Sequence, residues 1–179
     1  MTTPLYSERL SFKILTKQDV SDQYIGWLNN PEINRYLETR FNQQNKETCE
    51  LFVTTILNDP ASYLFGIFDK KTCSHIGNIK LGFINSHHNT AQLSLFIGEK
   101  ECWGKGYATE AITCITQWGF NILGLKRIEA GCYEANMGSL RAFLKVGYIV
   151  EGFKRSCVDS DGQRVGCFCL GIIESDCFR

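Results

Sequence analysis

Apolar and polar residues alternate through RLSFKIL (9–15), a period of two that predicts a half-buried strand. The spacing changes at Thr16. Val20, Tyr24, Trp27 and Leu28 recur at helical intervals behind that threonine, which is suited to cap them, and Asn29-Asn30-Pro31 ends the run. INRYLETRFNQQ (33–44) reads as irregular chain or a short helix. KETCELFVTTILND (46–59) predicts a further helix with Leu51, Phe52, Thr55 and Ile56 on one side, broken at Pro60. The pattern then turns to strands. YLFGIFD (63–69), HIGNIKLGFIN (75–85) and TAQLSLFIG (90–98) are joined by short turns, which predicts an antiparallel meander. A helix follows over 107–122 with Ala108, Ala111, Ile112, Ile115 and Ile122 on one face, ending at Gly124. RIEAGCY (127–133) is a strand. Asn136 caps a helix that turns Leu140, Phe143 and Leu144 inward and closes at Gly147. The remainder, 149–173, is a hairpin turning around Asp159–Gly162. This order describes an α+β or mixed α/β domain whose longest antiparallel run precedes a glycine turn.

Composition narrows the partners. The 179 residues suit one domain over 1–179, and 44% apolar with 21% charged residues is an ordinary globular balance. Lys plus Arg equals Asp plus Glu at 19 each, which argues against a phosphate-neutralising surface for nucleic acid. No basic segment with an apolar stretch opens the chain, and no apolar run reaches the ~20 residues of a membrane span. The chain therefore reads as soluble and cytoplasmic. Its nine cysteines are odd in number and form no CxxC pair, which fits reduced cysteines used as small hydrophobes. Cys167 and Cys169 fall on one face of a strand. His75 and the turn pair His87–His88 suggest no metal site.

Chemistry concentrates at ECWGKGYATEA (101–111), where two glycines one apart open a helix. A GxxxxGK[ST] phosphate loop is excluded, because no Lys-Ser or Lys-Thr follows at that spacing. A dinucleotide fingerprint is disfavoured: the run is GxGxxT, and only one more helix–strand step precedes the hairpin. The third reading holds a pyrophosphate at the N-terminus of helix 107–122, on unpaired amides that Gly104 and Gly106 leave accessible. A tight connection without a ligand is the plain alternative. NMGSLRAFLKVGY (136–148), one strand later, favours the pyrophosphate.

Together WGKGYATEA, KRIEAGCYEANMGSLRAFLKVGY and SERLSFKILTKQD resemble the GNAT N-acetyltransferases, in particular the branch of the ribosomal-protein N-terminal acetyltransferases. The resemblance implies a mixed, mostly antiparallel sheet of about seven strands, flanked by about four helices and splayed near Phe96 and Cys132. It implies acetyl-CoA as co-substrate, without a metal, its pantetheine arm in the gap. The implied coenzyme contacts are Phe96, Ile97, Glu101, Cys102, Trp103, Gly104, Lys105, Gly106, Tyr107, Ala108, Thr109, Asn136, Phe143 and Lys145. An amide at Phe96 or Ile97 would steady charge on the thioester oxygen.

Two positions depart from the family pattern. Glu101 stands where Gln or Arg is common, and Phe143 where many members carry a tyrosine thought to protonate the leaving thiolate. Ser139 is the replacement donor the sequence offers; the alternative is that it only fits the first helical turn. No base is assigned. Gln92 replaces an acidic residue of some relatives, leaving Glu129, Tyr133, Glu134, Glu151, Asp159 or a water chain. For the acceptor, Trp27, Asn30, Tyr36 and Arg40 suit a hydroxyl-rich ligand, so an amino sugar is favoured over a peptide N-terminus and over a polyamine, for which Glu32 and Glu38 are offset by Arg35 and Arg40. A CoA-binding module without turnover is the reading from another class. Family likeness points to a homodimer.

Overall fold

A computed structural model describes residues 5–178. Residues 1–4, included above in the search for a leader segment, and residue 179 lie outside the described residues. Eight strands form one sheet: β1 (Leu5–Tyr6), β2 (Leu10–Ile14), β3 (Tyr63–Asp69), β4 (His75–Asn85), β5 (Thr90–Ile97), β6 (Arg127–Tyr133), β7 (Ile149–Ser160) and β8 (Gln163–Ile173). Five α-helices accompany them: α1 (Asp22–Asn29), α2 (Pro31–Asn34), α3 (Lys46–Leu57), α4 (Tyr107–Asn121) and α5 (Met137–Val146). The spatial order is β1-β2-β3-β4-β5-β6-β8-β7, with every neighbouring pair antiparallel except β5 and β6. The mixed, mostly antiparallel sheet read from the sequence is present. The eighth strand is the two-residue β1, too short to carry a period.

The parallel pair decides the shape. A parallel neighbour needs a crossover, and α4 supplies it. β5 and β6 pair only at Thr90↔Arg127, Ala91↔Ile128 and Gln92↔Glu129. Beyond those three rungs β5 runs on to Ile97 and β6 to Tyr133, and the strands part. α4 and α5 pack Ala111, Ile112, Ile115, Leu140 and Phe143 into the larger core. A second core joins Leu15, Tyr24, Trp27, Leu28, Cys49, Val53 and Leu64, with Phe96 packed against it. No helix among the described residues is long and apolar enough to cross a membrane.

Several local expectations change. Thr16 does not cap α1. It opens a 3-10 turn closed by Asp19, whose carboxylate accepts from the Thr16 amide (2.8 Å) and hydroxyl (2.7 Å). Ser21 caps α1 instead, accepting from the Tyr24 amide at 3.2 Å. α3 is rotated from the expected face: Cys49 and Val53 are buried, while Leu51 is 69% exposed. Ile122, one residue past the end of α4, and Leu144 are also exposed.

Candidate active site

The glycine turn joins β5 to α4. Gly104 and Gly106 have φ of +72° and +82°, left-handed values that cost other residues strain. Gly106 is the N-cap of α4 and brings no side chain to the first turn. The amides of Tyr107, Ala108 and Thr109 therefore face outward at the positive end of the helix dipole, the arrangement an anion needs. A Cβ on Gly104 would meet nothing within 4 Å. Glu101 and Lys105 are exposed, and burial pushes the half-buried Cys102 thiol up.

Side chains around the turn hold its outer surface. Trp103 Nε1 donates to the Ile97 carbonyl at 2.8 Å. Tyr107 Oη donates to Asp69 at 2.9 Å, which raises the phenol above its ordinary range. Glu110 accepts from Ser7 Oγ, the Arg9 amide and Arg9 Nε at 2.7, 2.6 and 2.7 Å. Partial burial would raise the Glu110 carboxyl, but these donors outweigh it and hold the group below the usual carboxylate range.

Register settles which backbone groups face the wedge between β5 and β6. Gly98 N–H donates to the Ile76 carbonyl at 2.8 Å, so alternation turns the Phe96 amide toward β4 as well. The Ile97 amide faces the other way, into the wedge. Phe96 contributes its ring to the second core, 6.4 Å from Tyr24 and 6.1 Å from Trp27. Of the two amides named from the sequence, the geometry offers that of Ile97.

α5 begins at the wedge. Asn136 Oδ1 accepts from the Ser139 amide at 3.2 Å, leaving the half-buried Ser139 hydroxyl on the first turn. Phe143 is only 1% exposed and lies edge-on against Tyr148 at 4.9 Å, a packing role. Lys145 is exposed in the last turn, six residues beyond Ser139 and roughly 9 Å along the helix.

The four acceptor candidates divide. Trp27 is 4% exposed, with Nε1 donating to Glu99 at 3.1 Å and its ring lying over Gly98. Asn30 caps α2, accepting from the Glu32 amide at 2.9 Å. Burial and the Glu99 bond engage Trp27, and capping engages the Oδ1 of Asn30, so both have structural roles in this arrangement. Tyr36 and Arg40 do meet beside the wedge. Tyr36 Oη donates to the Ala135 carbonyl at 3.2 Å, and Arg40 Nη2 donates to Tyr133 Oη (3.0 Å) and the Asp159 carbonyl (2.6 Å). Tyr133 in turn donates to Glu38. Burial and then the Glu38 bond raise the Tyr133 phenol, with Arg40 opposing. Glu38, offset by arginines in its own segment of sequence, meets a tyrosine 95 positions away, a link that no local pattern carries.

Three carboxylates named as candidate bases are engaged elsewhere. Arg127 Nε donates to Glu129 at 3.0 Å and its Nη1 to Glu151 at 2.7 Å, which holds Glu151 below the usual range. Asp159 Oδ1 accepts from the Gly162 amide at 3.1 Å and shapes the hairpin turn.

Comparison with known proteins gives the arrangement a context. The family model described as "Acetyltransferase (GNAT) domain" matches residues 9–149. The uncharacterized N-acetyltransferase YoaA of Bacillus subtilis (strain 168) is 30% identical over 164 residues, covering 88% of this chain and 89% of that one. The uncharacterized N-acetyltransferase p20 of Bacillus licheniformis is 26% identical over 175 residues, covering 96% and 97%. The fold superposes on spermidine N-acetyltransferase from Vibrio cholerae, solved with CoA and spermine, with a TM-score of 0.85 at 22% identity, covering 97% of this chain and 100% of that one.

Proposed function

Because the chain belongs to the GNAT family of acetyltransferases, we propose that it moves the acetyl group of acetyl-CoA to a primary amine by direct attack on the thioester. That it is an N-acetyltransferase follows from the family and its relatives. The detail rests on one observation: strands that part after three rungs, next to a helix N-terminus opened by two left-handed glycines.

The residues fit the coenzyme. A first turn without a side-chain cap suits a diphosphate, and the wedge suits a narrow arm. Acetyl-CoA supplies the activated acetyl group. The amides of 107–109 bind the diphosphate oxygens, and the Ile97 amide donates to the thioester oxygen as negative charge builds there. Ser139, on the first turn of α5, donates a hydrogen bond to the leaving sulfur.

The acceptor enters over Tyr36, Glu38, Arg40 and Tyr133. With Trp27 and Asn30 committed to packing and capping, the case for an amino sugar keeps only Tyr36 and Arg40. Glu38 is 73% exposed at the side chain, while Arg40 is turned inward with 12% exposure. That asymmetry favours a cationic aliphatic amine over a sugar amine or a peptide N-terminus. Thiol release from acetyl-CoA with polyamines, amino sugars and peptides tests the order: fastest release with the polyamines supports it. Release with sugars alone refutes the cationic acceptor, and tight CoA binding with no acceptor-dependent release refutes transfer to these amine classes.

A further inference from the structure

We propose that Arg9 is a positioning residue for the coenzyme: it sets the peptide plane between Lys105 and Gly106 so that the Gly106 amide faces the diphosphate. The inference rests on the acetyl-CoA reading above and deepens it.

Arg9 lies at the turn into β2, almost a hundred residues from the glycine turn, yet its donors converge there. Its amide and Nε both donate to Glu110, at 2.6 and 2.7 Å. Nη1 donates to the Lys105 carbonyl at 3.0 Å. The guanidinium lies 4.2 Å from the Tyr107 ring centroid, a cation–π contact. Every one of these contacts takes a carbonyl, a ring or a carboxylate. The turn's own N–H groups are left for a ligand.

The consequence follows from peptide geometry. A trans peptide is planar with its C=O and N–H pointing opposite ways, and the described chain has no cis bond. Drawing the Lys105 carbonyl toward Arg9 therefore turns the Gly106 N–H away from Arg9. Local sterics hold this plane weakly, since one of the two torsions that turn it, φ of Gly106, has a glycine's freedom. Arg9 supplies the missing constraint. Its charge is largely balanced by Glu110, so orientation rather than attraction is its contribution. The Glu110 bond also raises the guanidinium, keeping it charged.

Isothermal titration of CoA and of pantetheine, which lacks the diphosphate, distinguishes the roles. Wild type, Arg9→Ala and Arg9→Lys are compared, with thermal melts alongside. Arg9→Ala should bind CoA about tenfold more weakly while pantetheine binding is unchanged, the loss expected for one or two hydrogen bonds. Arg9→Lys keeps the charge but not the fork, and should behave like the alanine variant. Undiminished CoA binding by Arg9→Ala, an equal loss for both ligands, or full rescue by Arg9→Lys would each overturn the proposal. If Arg9→Ala does not fold, Arg9→Lys carries the same comparison. Wild-type protein that gives no heat with CoA overturns the coenzyme reading itself, a failure distinct from that of Arg9.

Discussion

Replacing Trp27 separates packing from substrate contact. The indole is 4% exposed and enclosed by Tyr24, His75 and Phe96, with ring centroids 6.4, 5.0 and 6.1 Å away. A Cβ on Gly98 would come within 2.1 Å of the ring, so the β5 end has been shaped around it. Deleting a buried aromatic of this kind costs about 3–5 kcal/mol. In a chain of this length 1 kcal/mol moves Tm by about 2–4 °C, so Trp27→Ala should melt roughly 6–20 °C below wild type. Trp27→Phe keeps much of the apolar contact but forfeits the Nε1–Glu99 bond, a loss of about 1–3 kcal/mol. Calorimetric melts and steady-state acetyl transfer on both variants give the readout. If Trp27 only packs, the phenylalanine variant loses stability while its amine KM stays within about twofold of wild type. A variant that melts like wild type and raises the amine KM about tenfold or more would refute the reasoning and return Trp27 to the acceptor site.

Other outcomes follow from the same geometry. Ser139→Ala should lower kcat about a hundredfold with unchanged CoA affinity, the pattern of a lost hydrogen bond to the leaving sulfur; unchanged kcat would remove Ser139 from the chemistry. Tyr133→Phe removes the hydroxyl shared by Glu38 and Arg40, leaving only their 3.8 Å ion pair, and steady-state kinetics should show a higher amine KM with the CoA KM unaltered. The Glu110 carboxyl is depressed in the folded chain, so its stabilisation is complete above the unfolded value of about 4.3 and disappears as pH falls through the lower folded value. Denaturant titrations should therefore show wild-type stability falling more steeply than that of Glu110→Gln below about pH 5; parallel curves would contradict this.

Much of the fold could be read because local chemistry and final position agree. The three meander strands carry their own period, and Gly106, Asn136 and Gly147 end or open helices as their residue types suggest. Where two signals compete locally, the reading failed. Thr16 and Ser21 are both good caps, and the choice between them falls to Asp19, which fits only a turn at Thr16. α3 offers two plausible faces, and contact with Leu15 and Leu64 selects Cys49 and Val53. The glycine turn was legible since its requirement is backbone freedom, which glycine declares. The acceptor side was not. Trp27 and Arg40 look alike in sequence as candidate contacts, yet one is sealed against β5 and the other reaches Tyr133, a separation fixed only by long-range packing.

The three-rung join between β5 and β6 has a mechanical consequence. It makes the sheet two leaves sharing a short seam, so their angle is governed less by the seam than by the helices lying across both. α4 touches β4 and β5 on one leaf and β6 on the other, with α5 packed beside it. Substitutions beneath these helices, remote from any reacting atom, would change how far the leaves open and thus how deeply a slender thioester can reach.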